Sequence, residues 1–492
     1  MIGKMKRQEK LFFVGSIRKL IPDEHILVKV DKVLDLSWLE AEVASAYCLD
    51  NGRPSIAPEA AVRLMLAGFF QNIVHDRALM REAQVNLAIR WFAGYGLEDE
   101  IPHASNLTRL RQRWGAALFK RIFQRTVAAC LEAGLVGGDT LHMDSTLIRA
   151  NVSWESLTTE YSDRVWDANQ SGEPESESAP PSAPSSPTAS RPGPAKKEGK
   201  KKKKRSRTDP EASMATNRQD RPLEPSYKQH TVVDDKTGVI VAVEVTTGEK
   251  NEGEHLLTML AEAEANTGCP AEMLTGDGAY GHSSNYRALE KREIEALIPP
   301  PPLNRKKRFP LSLFQYDARH QLVRCPRGKK LYRSSRAESQ KGWVYRARSR
   351  DCRSCPWRKE CVPKSAAART VLIGDDYEFL VRARRRHQRW GPRERGLYDR
   401  HRARVEGVHG EGKTCHGLRR AVRWGLENMK IQDYLTAAVI NLKRLATHGA
   451  PPVLPVLLKR AYLLMNTCVD WFQKNFWPRK NRIAARHAVA AG

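Results

Sequence analysis

Two periodicities divide the chain. Apolar residues recur every three or four positions in Ala60-Ala-Val-Arg-Leu-Met-Leu-Ala-Gly-Phe-Phe70 and in Leu118-Phe-Lys-Arg-Ile-Phe-Gln-Arg-Thr-Val-Ala-Ala-Cys-Leu131, which predicts an all-α domain over residues 1–138. Ser105 is placed to cap a helix carrying Arg109, Arg111 and Arg113. From Thr140 the period becomes two. Thr140-Leu-His-Met-Asp144-Ser-Thr-Leu-Ile148 alternates and predicts a strand with Asp144 in its middle. Tyr227–Asp234 and Val239–Thr246 flank the turn Asp235-Lys-Thr-Gly238 and predict a hairpin. A helix over 255–265 follows, then the strand Glu272-Met-Leu-Thr275, which ends in Gly276-Asp277-Gly-Ala-Tyr280-Gly281. Ser283 begins a helix through Lys291, and Glu295 opens one more strand. Strand, hairpin, helix, strand, helix, strand is the order of a mixed sheet with helices on its faces, an α/β core whose first part spans 139–302.

Two stretches interrupt this pattern. From about 153 to 225 apolar periodicity disappears, and the chain runs through Pro-Pro-Ser-Ala-Pro-Ser-Ser-Pro into the basic block Lys196–Arg207, so disorder is expected. That block can grip phosphates without sequence preference or simply solubilise a linker. Residues 303–390 are polar, poor in aromatics and hold four cysteines, an insertion expected to lack the apolar residues for a fold of its own. Helix resumes in Tyr398-Asp-Arg-His-Arg402-Ala-Arg-Val-Glu406-Gly-Val-His-Gly-Glu-Gly-Lys413; at 3.6 residues per turn Tyr398, Arg402, Glu406, Gly410 and Lys413 share one face. The second part of the core, 391–446, closes with an amphipathic helix, Ile431–Leu445, with Leu435, Val439 and Leu442 on its apolar side. A helical tail is expected over 447–492.

Charge narrows the function. The 83 Lys and Arg against 56 Asp and Glu give a formal net charge of +27, which points to a polyanionic partner, nucleic acid before a membrane surface. No apolar run is long enough to span a bilayer, and Leu11-Phe-Phe-Val-Gly15 is too short for a signal core, so a cytoplasmic protein with no membrane partner is expected. Nine cysteines without an export signal suggest reduced thiols.

Phosphodiester transfer requires in-line attack on a highly charged centre, and two divalent ions can activate the entering oxygen and neutralise the leaving one. Magnesium prefers carboxylates, and two or three suffice. Asp144 and Asp277 stand at strand positions flanked by small residues, and Glu406 lies on a helix able to cross the strand ends. Singly, each has an ordinary reading: an Asp near a strand end caps turns, and a Glu four residues after an Arg forms a surface ion pair.

Taken with the element order, the chain resembles the DDE transposases of bacterial insertion sequences, in the group with a Tyr, Arg, Glu, Lys signature. The matching residues are His142-Met-Asp144-Ser-Thr, Thr275-Gly-Asp277-Gly-Ala-Tyr280, then Tyr398, Arg402, Glu406 and Lys413, followed by Asn441-Leu-Lys-Arg-Leu445. Tyr398 departs from the family spacing by one residue. The resemblance implies an RNase H-like core with helices on both faces, an N-terminal DNA-binding domain, and Asp144, Asp277 and Glu406 as ligands of two Mg2+ (or Mn2+) ions, Asp144 bridging them. It implies Arg402 and Lys413, with Tyr398, at the DNA, double-stranded transposon ends and target as partners, and a homodimer to hold two ends. Arg109, Arg111 and Arg113 form a compact basic element suited to a DNA groove, or a solvated helix face. A non-catalytic DNA-binding derivative and an RNase H-like nuclease that cuts without joining are the rival readings.

The insertion adds a second metal candidate. Cys325-Pro-Arg-Gly and Cys352-Arg-Ser-Cys355-Pro-Trp-Arg-Lys-Glu-Cys361 supply four thiols in a grouping able to close a tetrahedral structural Zn2+ site.

Overall fold

The computed structural model describes residues 15–48, 55–159, 204–216, 222–302, 309–338 and 341–448. Its centre is a mixed sheet. Strand β1 (Thr140–Arg149) pairs antiparallel with β5 (Glu224–Asp234) on one side and parallel with β7 (Met273–Gly276) on the other. Outside β5 lies β6 (Ile240–Thr247), antiparallel; outside β7 lies β8 (Glu295–Leu297), parallel. Numbered within the sheet, the order is 3-2-1-4-5 with only the second strand reversed against the first, the RNase H-like arrangement. The helices Leu256–Thr267 and Ser283–Lys291 connect the strands, as the alternation of patterns predicts.

The segment expected to be disordered is partly ordered. A short hairpin joins β2 (Leu157–Thr159) to β3 (Lys204–Ser206), and β4 (Ser213–Ala215) pairs with the start of β5. Fully buried Asp209 fixes this piece, because it accepts a 2.6 Å hydrogen bond from Tyr227 Oη and one from the Gly425 amide. The Pro/Ser tract and most of the basic block lie outside the described residues.

The cysteine insertion also departs from expectation. It folds as a five-stranded antiparallel sheet, β9 (Gln315–Asp317), β10 (Leu322–Arg324), β11 (Lys330–Ala337), β12 (Gly342–Ala347) and β13 (Thr370–Gly374), each strand beside the next. Phe314, Val323, Leu331, Tyr345, Val371, Ile373 and Tyr377 give it a small apolar cluster separate from the main core. Its strands hide their apolar residues on one face while the other stays polar, so the average composition conceals the core.

The N-terminal part is helical throughout its described residues, from Ile26–Asp31 to Ala104–Glu132. His103, not Ser105, caps the last helix, its ring nitrogen accepting the Ser105 amide at 3.3 Å, and the helix is interrupted at Gly115, where φ is +65°. The helix Leu426–His448 runs between that helix and β6 and is buried on nearly all sides from Ile431 to Leu442, so it is a core helix rather than an amphipathic one. Its Asn441 takes the place of a strand partner: Oδ1 accepts the Ile240 amide and Nδ2 donates to the Ile240 carbonyl, both at 2.9 Å. The expected tail helix over 456–476 lies outside the described residues. Among the described residues no helix is long and apolar enough to cross a membrane.

Candidate active site

Parallel pairing of β1 with β7 ends at Met143 opposite Gly276, so the next residues in each strand, Asp144 and Asp277, emerge side by side at one end of the sheet. Asp277 also does the ordinary work of its position, since its Oδ1 accepts the Ala279 amide at 2.9 Å and caps the turn Gly278–Tyr280. Glu406 comes from the late helix, which runs Pro392–His401, then a π turn, Arg402–Glu406, then Gly407–Cys415. The π turn packs against β1 and β5 and carries Glu406 across Asp144.

The wide turn breaks the single helical face expected at 3.6 residues per turn. Tyr398 stacks on His401 (ring centroids 5.9 Å apart) and against Trp390, while Val405 is buried. Arg402 Nε reaches Glu406 Oε1 at 3.3 Å, both side chains well exposed, so here Arg402 is the partner of Glu406. Lys413 turns inward, donating a 2.6 Å hydrogen bond to Thr146 Oγ1, two residues past Asp144 on the same face of β1.

A polar spine holds this helix on the sheet. His142 and His401 both contact Thr275 Oγ1, at 2.6 and 3.0 Å, and His142 Nε2 lies 3.0 Å from Asp235. Arg400 and Arg404 reach the same Asp235 from the helix. Burial lowers both histidines, His401 to about 4, so each ring is neutral and serves as a hydrogen-bonding strut.

The electrostatics are those of crowded carboxylates. Burial, with Asp277, Glu252 and Glu406 adding to it, pushes Asp144 up to about 7. Asp277 is raised by burial and by Glu252. Glu252 is the acid that sequence reasoning misses. It sits in the turn Glu252–Glu254, pinned by Lys228 Nζ at 3.1 Å. Gly253 allows the approach, because a Cβ there would stand 2.9 Å from the Ala279 carbonyl of the Asp277 turn. His409 is also part of the site: its Nδ1 is 3.9 Å from Asp144 Oδ2, its Nε2 meets Thr231 at 3.1 Å, and burial drops it to about 3. Lys413 is lowered by burial, then by Arg419, with Asp144 opposing.

The donor set fits a hard divalent cation: buried carboxylates that raise one another's proton affinity are relieved by such an ion. Among the described residues no group of three or more His, Cys, Asp or Glu is closed around one point as a metal site. Cys325, Cys352, Cys355 and Cys361 are free thiols; Cys352 is buried in the insertion's core, with Cys325 and Cys361 packed against it. Burial raises the Cys361 thiol, Arg369 opposes, and the other three cysteines add to the rise.

The basic residues separate. Arg109 is exposed, and Arg113 is exposed with its guanidinium 4.7 Å from the Tyr47 ring centre. Arg111 is buried in an ion pair with Asp76, which also takes Arg423 at 2.8 Å, so Arg111 ties the helical domain to the loop after Gly417 instead of facing a groove. Beside Lys413 a cleft of about 480 Å³ is lined by Arg419, Arg420, His75 and Asn151.

Strand order and paired acids define the class, an RNase H-like core of the DDE kind. Residues 15–113 match the family described as transposase domain (DUF772), and residues 324–446 match the transposase DDE domain, which includes Glu406. The chain belongs with the insertion-sequence DDE transposases. Asp144 and Asp277 lie between the two matched regions. A solved structure, the piggyBac transposase synaptic complex with hairpin DNA, is similar at 11% identity over 94% of this chain and 82% of that one, with a TM-score of 0.32, a likeness too low to carry an argument. No curated protein matches.

Proposed function

We propose that the protein binds the terminal repeats of an insertion sequence as a homodimer, hydrolyses the DNA at the element's ends, and joins the freed 3′-hydroxyl to target DNA. The observation that carries this reading is the parallel register that sets Asp144 beside Asp277, with the turn of Glu406 crossing them. Asp144, Asp277 and Glu406 would hold the divalent ions, which supply Lewis-acid help to the entering and leaving oxygens. Lys413, fixed against Thr146, is placed to take a phosphate next to the acids, and Arg402 is free to exchange Glu406 for a phosphate once the carboxylate turns inward. Arg419 and Arg420 extend the basic surface away from the acids and suit a duplex backbone. Bacterial DNA places this work in the cytoplasm.

The four insertion cysteines are assigned to a structural zinc site on their thiol chemistry and their shared core. The test of the catalytic assignment is Asp277→Asn. It should abolish strand cleavage in Mg2+ while end binding survives, and full cleavage by that variant would remove Asp277 from the machinery.

A further inference from the structure

Tyr280 is a buried polar group that nothing above uses. It has no exposed surface, and its hydroxyl has no hydrogen-bond partner, Ser145 lying beside it outside ordinary geometry. An orphan hydroxyl at such depth costs about 1–3 kcal/mol, so its retention needs a reason. The ring is wedged where only glycine leaves room: a Cβ on Gly276 would stand 3.2 Å from Tyr280 Cδ2. The surrounding backbone also holds it, since the Tyr280 carbonyl accepts from the His282 amide at 2.8 Å and from Asn285 Nδ2 at 3.1 Å. The phenol therefore cannot swing toward solvent to find a partner.

What it faces is the acid cluster. Asp144, Glu252 and Asp277 all act on the hydroxyl, and with burial they hold it well above the usual phenol range, so it stays protonated and can only donate. A lone donor aimed at three carboxylates has one natural acceptor, a carboxylate oxygen. In the metal-free protein, burial and the neighbouring acids keep Asp144 partly protonated near neutral pH, so the cluster is short of anionic oxygens. A divalent cation would ionise it fully.

We propose that Tyr280 is a positioning residue, its hydroxyl donating to a carboxylate oxygen of the Asp144, Asp277 and Glu252 cluster when a divalent cation holds that cluster ionised. This rests on the metal-dependent reading of the site. Outer hydrogen-bond partners of this kind orient ligating carboxylates, and their loss typically weakens metal binding roughly 10–100-fold.

The test is Tyr280→Phe in the full chain, with Mn2+ binding followed by titration calorimetry and metal-free stability followed by thermal unfolding in chelator. The proposal expects Mn2+ binding about tenfold weaker or more, with a metal-free melting temperature equal to or above that of the parent, because the variant removes an unpaired hydroxyl. Unchanged Mn2+ affinity overturns it. So does weaker binding accompanied by a lower metal-free melting temperature, which would mean the hydroxyl is already bonded and structural. If the parent itself binds no Mn2+, the metal-dependent reading fails first, and the role of Tyr280 with it.

Discussion

Replacing Asp144 with Asn should stabilise the metal-free protein at high pH. Folding raises the Asp144 carboxyl from an ordinary 3.8 to about 7, chiefly by burial and then by the neighbouring acids. A raised carboxyl imposes no penalty below its unfolded value; the penalty grows as pH climbs from about 3.8 and is complete above about 7. Some three units at about 1.36 kcal/mol each set a ceiling near 4 kcal/mol. Solvent reduces this, because the side chain keeps 21% of its surface exposed. Asn keeps the shape without the charge, so Asp144→Asn should melt a few degrees above the parent at pH 8 in chelator and match it near pH 4. Saturating Mg2+ should shrink the pH 8 difference, since the cation offsets the same repulsion. Thermal unfolding across this pH range is the assay. No gain at pH 8, or an equal gain at pH 4, would refute the electrostatic account of the site.

Three other outcomes follow from the packing and the thiols. Asp76→Ala strands Arg111 in the interior and should cost about 3 kcal/mol or more in denaturant unfolding, with Arg111→Met added on top recovering part of the loss. Asn441→Leu leaves both the Ile240 amide and carbonyl unpaired and should cost at least about 2 kcal/mol by the same measurement, with loss of exchange protection at Ile240. Protein purified without added chelator should carry one zinc per chain by elemental analysis, and Cys361→Ser should lose it; a metal-free parent would leave the four cysteines as packing residues.

The two strand acids were legible because alternation marks their strands and small residues surround them. Glu406 was legible through its spacing to Arg402 and Lys413, but not its setting: sequence patterns assume 3.6 residues per turn, and the π turn rotates Lys413 inward while Arg402 stays out. Glu252 carried no signal. Gly-Glu-Lys-Asn-Glu-Gly-Glu reads as a solvated loop, and only the close approach at Gly253 brings its carboxylate to the cluster. Arg111 looked like a groove contact because its partner Asp76 lies 35 residues away. The core helix looked amphipathic because Gln432, Asp433, Thr436 and Asn441 are polar, although all four are buried and satisfy partners across the core. In each case a contact distant in sequence decided what a local pattern left open.

The central claim is that this site cuts and joins DNA. A strand-transfer assay tests it most directly: purified protein, Mg2+, labelled duplex carrying the repeats that flank the coding gene, and a plasmid target. The account predicts label covalently joined to the plasmid through a 3′ end, lost in Asp144→Asn, Asp277→Asn and Glu406→Gln alike. Cutting without joining would mark a nuclease, binding without cutting a DNA-binding derivative, and either result would contradict the account.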